Sequence, residues 1–152
     1  MKESKEFLKN IRGKSIQVGN NLDLGKLPPQ AVDLEESVLG ALMLEKDALT
    51  DVIDILKPEN FYRDANKEIY QSIIDLFNDS EPIDLLTVTS QLKKNGKLDY
   101  VGGTLYVTQL TTKVNSASNI EYHARIILEQ SIKRQLIEVS TEVQKEAYED
   151  TS

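Results

Sequence analysis

The sequence predicts an all-α protein: a compact orthogonal multi-helix head followed by one long helix. Three observations predict it. Apolar residues recur at three- and four-residue steps through most of the chain after Leu27. Residues that cap or stop helices fall at the ends of those periodic segments. The last segment runs for about thirty residues without a glycine or a proline.

The elements follow in order. Residues 1–26 contain Gly13, Gly19, Asn20, Asn21 and Gly25 with no sustained period, and are expected to form a flexible basic arm, with room for a short helix around Ser4–Ile11. LPPQ (27–30) punctuates: Pro28 and Pro29 cannot continue a preceding helix but suit the start of the next. AVDLEESVLGALML (31–44) places Val32, Leu34, Val38, Leu39, Leu42 and Met43 on a broad apolar face. Gly40 costs about 1 kcal/mol relative to alanine inside a helix, and so marks close approach of another helix. Asp47 is expected to cap a second helix, ALTDVIDIL (48–56), which stops before Pro58. PENFY (58–62) is a turn carrying two aromatics. Asp64 is expected to cap a third helix, ANKEIYQSIIDLFND (65–79), with Ile69, Ile73, Ile74, Leu76 and Phe77 facing inward.

Pro82 separates the next helix, LLTVTSQLKKNG (85–96), which Asp84 caps. Lys93 and Lys94 in its last turn and Gly96 just beyond are stop signals. DYVGG (99–103) turns into TLYVTQLTTKV (104–114). That segment is rich in Thr, Val and Tyr and leaves a strand open; a short helix is preferred because Leu105, Thr108, Gln109 and Thr112 do not alternate apolar and polar. VNSAS (114–118) is a loop. SNIE (118–121) matches a capping box, with Ser118 as cap and Glu121 reaching back.

The final helix then extends to about Tyr148, roughly 45 Å. Ile120, Ala124 and Ile127 cluster in one direction. Ile132, Leu136, Val139, Val143 and Ala147 cluster a quarter-turn or more away. The first third can therefore pack on the head, while the rest needs a different partner: a second helix or a second copy of the protein.

At 152 residues the chain is long enough for one domain with a real core. No apolar run approaches the roughly 18 residues of a membrane span, and the N-terminus lacks the apolar stretch of a secretory signal. With no cysteines, disulfides and thiolate metal sites are excluded. The net charge of −7 is uneven. Residues 1–26 hold six Lys/Arg against three acids, giving +3, and the other 12 basic and 22 acidic residues leave −10. An acidic body is a poor general binder of phosphate backbones.

No catalytic constellation is legible. His123 is the sole histidine, so histidine-cluster metal sites and histidine-based triads lack parts. Glu35 and Glu36 are adjacent and point to different sides of a helix, so they form no converging carboxylate pair. Capping and solvation account for Asp47, Asp51 and Asp54. There is no GxxxxGK[ST] or GxGxxG phosphate loop, and Gly102–Gly103 read as a turn. One alternative stands: residues 84–113 have the spacing of a helix-turn-helix nucleic-acid-binding module, with Lys93, Lys94, Lys97 and Lys113. Its second helix carries no Arg, Asn or Lys cluster to contact base edges.

The order LPPQAVDLEESVLGALML, ENFYRDANKEIYQSIIDL, PIDLLTVTSQLKKNGKLDYVGGTLYVTQL and NSASNIEYHARIILEQSIKRQLIEVS resembles the N-terminal domain of the bacterial replicative DNA helicase, the DnaB family, over about residues 27–148. The resemblance implies a helical head at 27–115 and, within 116–152, the first arm of a helical hairpin whose second arm lies beyond Ser152. It implies no catalytic, cofactor or metal residue in this chain, ATP and Mg belonging to a separate ATPase domain of the parent helicase. The stripe Ile132, Leu136, Val139, Val143 and Ala147 would pack on the second arm and on a neighbouring subunit. Without that arm, the helix is expected to fray beyond about Leu136 or to self-associate. The implied partners are the protein itself (a dimer, or a trimer of dimers forming a hexameric collar), primase, a helicase loader and, weakly, single-stranded DNA, in the bacterial cytoplasm at the replication fork.

Overall fold

The computed structural model describes residues 26–114 and 119–149. The expected arm, the loop at 115–118 and Ser118 as a cap fall outside the described residues. Among those described there are six α-helices and no strand: α1 (Val32–Leu44), α2 (Asp64–Asn78), α3 (Leu85–Lys94), α4 (Leu98–Val101), α5 (Gly103–Thr112) and α6 (Ile120–Tyr148).

Helix α1 is the axis of the head. Every residue from Glu35 to Met43 is buried, because α5, α6 and α2 cover it on different sides. Gly40 is what lets α5 approach. A Cβ there would collide with the carbonyl oxygen of Leu110 and lie 2.7 Å from Val114 Cγ2. The close approach expected from a glycine within a helix is therefore present, and its neighbour is α5. Helix α2 packs on α3 and α4 on the far side. Its Ile69, Tyr70 and Ile73 are fully buried. The Tyr70 ring lies 5.0 Å from that of Phe61, and its hydroxyl donates to the Leu56 carbonyl at 2.8 Å.

Helix α3 has the boundaries its sequence predicts. The Asp84 carboxylate accepts from the Thr87 amide, and the Thr87 hydroxyl accepts from the Asp84 amide, both at 2.9 Å. Lys93 and Lys94 occupy the last turn. Segment 104–114 is helical as preferred over a strand, since Val107 and Leu110 make one buried face three residues apart. Gly102, at φ 111°, and Gly103, at φ 75°, make the turn between α4 and α5, a backbone that side chains resist.

Four expectations are corrected. Residues 48–56 are not an α-helix but a 3-10 turn (Ala48–Asp51) followed by successive turns closing on Leu49 and Val52. Val52, Ile53 and Ile55 have weak helical preference, and burial of Leu49, Val52 and Leu56 decides the path. Asp47 does not cap; it sits at φ 65° with no side-chain cap bond. Asp64 does not cap either. It lies inside α2, where Arg63 is the cap residue. Phe77 is 42% exposed rather than inward, because it lies in the last turn of α2, at the rim of the head.

The long helix is continuous over 29 residues to Tyr148. Its Glu, Gln, Lys and Ala content sustains it. The residue before it is Asn119, whose side chain makes no cap bond.

Candidate functional site

Two features stand out: a polar seam that fixes where α6 leaves the head, and the apolar stripe on the part of α6 that has left. The seam starts from the two acids in α1. Both are buried, Glu35 to 1% exposure and Glu36 to 4%. A buried carboxylate must be fully hydrogen-bonded or it destabilises the fold. The Glu35 carboxylate accepts from the amides of Tyr62 (2.8 Å) and Arg63 (3.4 Å) and from Asn66 Nδ2 (3.0 Å). It thus ties the segment leading into α2 to α1, and a negative charge there also suits the helix N-terminus.

Glu36, expected to point to a different side from Glu35, meets the same Arg63: it takes Nη1 at 3.3 Å together with the Lys113 ammonium. Asn66 passes the network outward by accepting from the Tyr106 hydroxyl at 2.6 Å. Burial pushes the Tyr106 phenol above its ordinary range, opposed by the Arg63 guanidinium stacked 5.3 Å from its ring. No buried side-chain nitrogen or oxygen among the described residues lacks a partner.

On α6 the face toward the head runs Ile120, Ala124, Ile127 and then Ser131, all buried. Ser131 Oγ accepts from Asn60 Nδ2 at 3.1 Å. Arg134, one step further, donates to the Pro29 carbonyl (2.7 Å) and the Asn60 carbonyl (2.8 Å), and lies 5.4 Å from the Tyr62 ring. The fork geometry of a guanidinium suits two carbonyls at once. Ser131 and Arg134 escape a search for apolar periodicity because they are polar. Their spacing from Ile127, four residues and then three, is the signal that finds them.

Beyond Arg134 nothing described covers the helix. Every residue from Gln135 to Glu149 is exposed. Ile132 is 45% exposed, Leu136 64%, Val139 60% and Val143 58%, and Ala147 is exposed too. At 100° per residue these five lie about a third of a turn from the buried face. The structure thus brings the five together on one side of a projecting rod, pointing away from the head. An exposed apolar face of this kind is a candidate interaction surface.

The other candidates have ordinary surroundings. His123 is half-buried beside Tyr122. Among the described residues no group of three or more His, Asp or Glu is placed to hold a metal ion. No helix described is long and apolar enough to cross a membrane. Of the four lysines in segment 84–113, Lys113 is held by Glu36, and Lys97 lies over the Tyr100 ring at 4.9 Å and beside Glu68. The outer face of α5 presents Thr104, Leu105, Thr108, Gln109 and Thr112, a poor set for reading base edges.

Comparison with known proteins places the chain in a family. Residues 27–129 match the family model of the DnaB-like helicase N terminal domain. The chain is 46% identical over 125 residues to the replicative DNA helicase DnaB of Rhodothermus marinus, covering 82% of this chain and 13% of that protein. The crystal structure of the N-terminal domain of DnaB helicase from Mycobacterium tuberculosis superposes with a TM-score of 0.78 at 40% identity, covering 81% of this chain and 89% of the other. A DnaB-like replicative helicase, whose structure was determined with its interactions with primase, shares the fold at a TM-score of 0.67 and 24% identity, covering 76% of this chain and 27% of the other. The chain spans between 13% and 29% of the length of the curated relatives it matches.

Proposed function

The chain belongs to the family of DnaB-like helicase N-terminal domains, and we propose that it is the non-catalytic assembly and interaction domain of a hexameric replicative DNA helicase. The observation that carries the proposal is the uncovered stripe Ile132, Leu136, Val139, Val143 and Ala147 on a helix whose first half is fixed to the head. Fully burying a Leu, Ile or Val side chain stabilises by about 1.5–3 kcal/mol, so the stripe favours association wherever a second apolar helix is available.

In this reading residues 27–115 are the head and 116–152 include the first arm of a helical hairpin, with 1–26 as a basic arm. The stripe packs on the second arm and on the hairpin of a neighbouring subunit. Dimers so formed associate in threes into a collar. The collar sits on ATPase domains, which alone hold ATP and Mg, and offers primase and a helicase loader a docking platform at the cytoplasmic replication fork. Single-stranded DNA meets the collar only weakly. The primase role is motivated by the helicase of the same fold whose interactions with primase are known.

The test is to titrate isotope-labelled chain with the C-terminal helicase-binding domain of a cognate primase and follow the amide shifts. Localised shifts on the head or α6 are expected. No shifts in this chain, and none in a chain extended through the second hairpin arm, would reject the primase role.

A further inference from the structure

A second surface, remote from the stripe, is also unaccounted for. Where α1 ends, the 3-10 turn and the α2–α3 connection leave a cleft of about 530 Å³, within the size range of a specific binding site. Its floor is apolar: Leu44 is 56% exposed, Phe77 is 42% exposed, and Pro82 and Ile83 complete it. Its rim is acidic, with Glu45, Asp47, Glu81 and Asp84 against the single cation Lys46. Exposed leucine and phenylalanine beside four carboxylates in one cleft suit a ligand that is apolar on one side and basic on the other.

The chain contains such a segment. Residues 1–14, MKESKEFLKNIRGK, carry Phe7, Leu8 and Ile11, spaced for one helical face, among Lys2, Lys5, Lys9, Arg12 and Lys14. Residues 1–26 bear +3, which matches the excess of three carboxylates on the rim. The reach also suffices. The arm joins the head at the N-terminal end of α1 and the cleft lies at its C-terminal end, a distance of about 20 Å along a helix of this length. The polypeptide between Ile11 and Lys26 spans up to about 50 Å when extended.

We propose that the N-terminal segment around Phe7, Leu8 and Ile11 seats in this cleft of its own head, with its lysines and arginine over the acidic rim. The tether makes the association intramolecular, so an interaction too weak to persist between separate molecules is populated within one. The apolar contacts hold the segment, and the charge pairing orients it and excludes acidic competitors. A basic amphipathic segment of another protein would have to displace the arm first, so the arm acts as a built-in competitor for the cleft.

The absence of cysteine gives a clean test on the full chain. Ser4→Cys carries a nitroxide, and the amide signals of Leu44, Thr50, Phe77 and Ile83 are followed in isotope-labelled protein. They are expected to lose most of their intensity while those of Tyr100 and of Val139, on the projecting part of α6, do not. Replacing Phe7 and Ile11 together by serine is expected to restore them. Equal broadening at Tyr100 and Val139 would overturn the proposal, as would broadening that survives the Phe7→Ser, Ile11→Ser pair. A mixture of labelled chain with separately spin-labelled chain checks the tether. Broadening of the cleft in that mixture as strong as within one chain would assign the arm to a second copy and contradict the proposal.

Discussion

At the scale of single residues the head depends on a few positions with no tolerance. Gly40→Ala would gain about 1 kcal/mol of helical preference, but its new methyl group would strike the Leu110 carbonyl and Val114. Net destabilisation of roughly 2–4 kcal/mol is expected, as for other overpacked cores, read from the urea midpoint. Glu35→Gln keeps the shape of the side chain but removes the charge that three donors address. A loss of about 1.5–3 kcal/mol is expected by the same measurement. The tyrosines set the alkaline limit. Burial raises the Tyr70 phenol far above its ordinary range and raises Tyr106 as well. A folded-state pKa above the unfolded one means that stability is fully present below about pH 10 and is lost as pH rises further. Urea midpoints are therefore expected to hold steady to about pH 10 and then to fall. Tyr70→Phe should be less stable at neutral pH, having lost the bond to Leu56, but its midpoint should decline less at high pH.

At the scale of elements the outcome hinges on how α6 is held. Arg134 ties it to Pro29 and Asn60 where the last buried turn ends. Arg134→Ala is expected to speed amide hydrogen exchange from about Ile127 onward while α1–α5 exchange as before. Arg134→Lys should restore little of the protection, since an ammonium lacks the planar fork. Much of this level was legible in the sequence where the determinants are local. Asp84, Lys93, Lys94 and Gly96 bound α3 within its own segment, and 3.6-residue periodicity places α1, α2 and both faces of α6. What was not legible depends on distant partners. The buried carboxylates of Glu35 and Glu36 are matched by groups 27 to 77 residues away, and pattern reading treats such acids as solvated. The path of 48–56 was misread for a related reason: weak helix formers follow whatever tertiary packing dictates. The stripe is legible because it is apolar, whereas Ser131 and Arg134 beside it are polar and escape that pattern.

At the scale of the whole molecule the chain has a satisfied half and an unsatisfied one. The head buries one apolar cluster, with Leu44 and Phe77 exposed at its rim, and leaves no described buried polar side-chain atom unpaired. The outer half of α6 presents Leu136, Val139 and Val143 to solvent. The two halves are separable: substitutions on the stripe should change association without changing head stability, because none of those side chains belongs to the core cluster. The central claim is that this face exists to be covered by another helix of the same assembly. Sedimentation velocity of the full chain beside the Leu136→Ser, Val139→Ser, Val143→Ser variant, over a wide concentration range, tests it most directly. A sedimentation coefficient that rises with concentration for the natural sequence and stays monomeric for the variant, with equal thermal melting of the two heads, is the predicted result. A natural chain that stays monomeric throughout, or a variant that associates as strongly, would contradict the account.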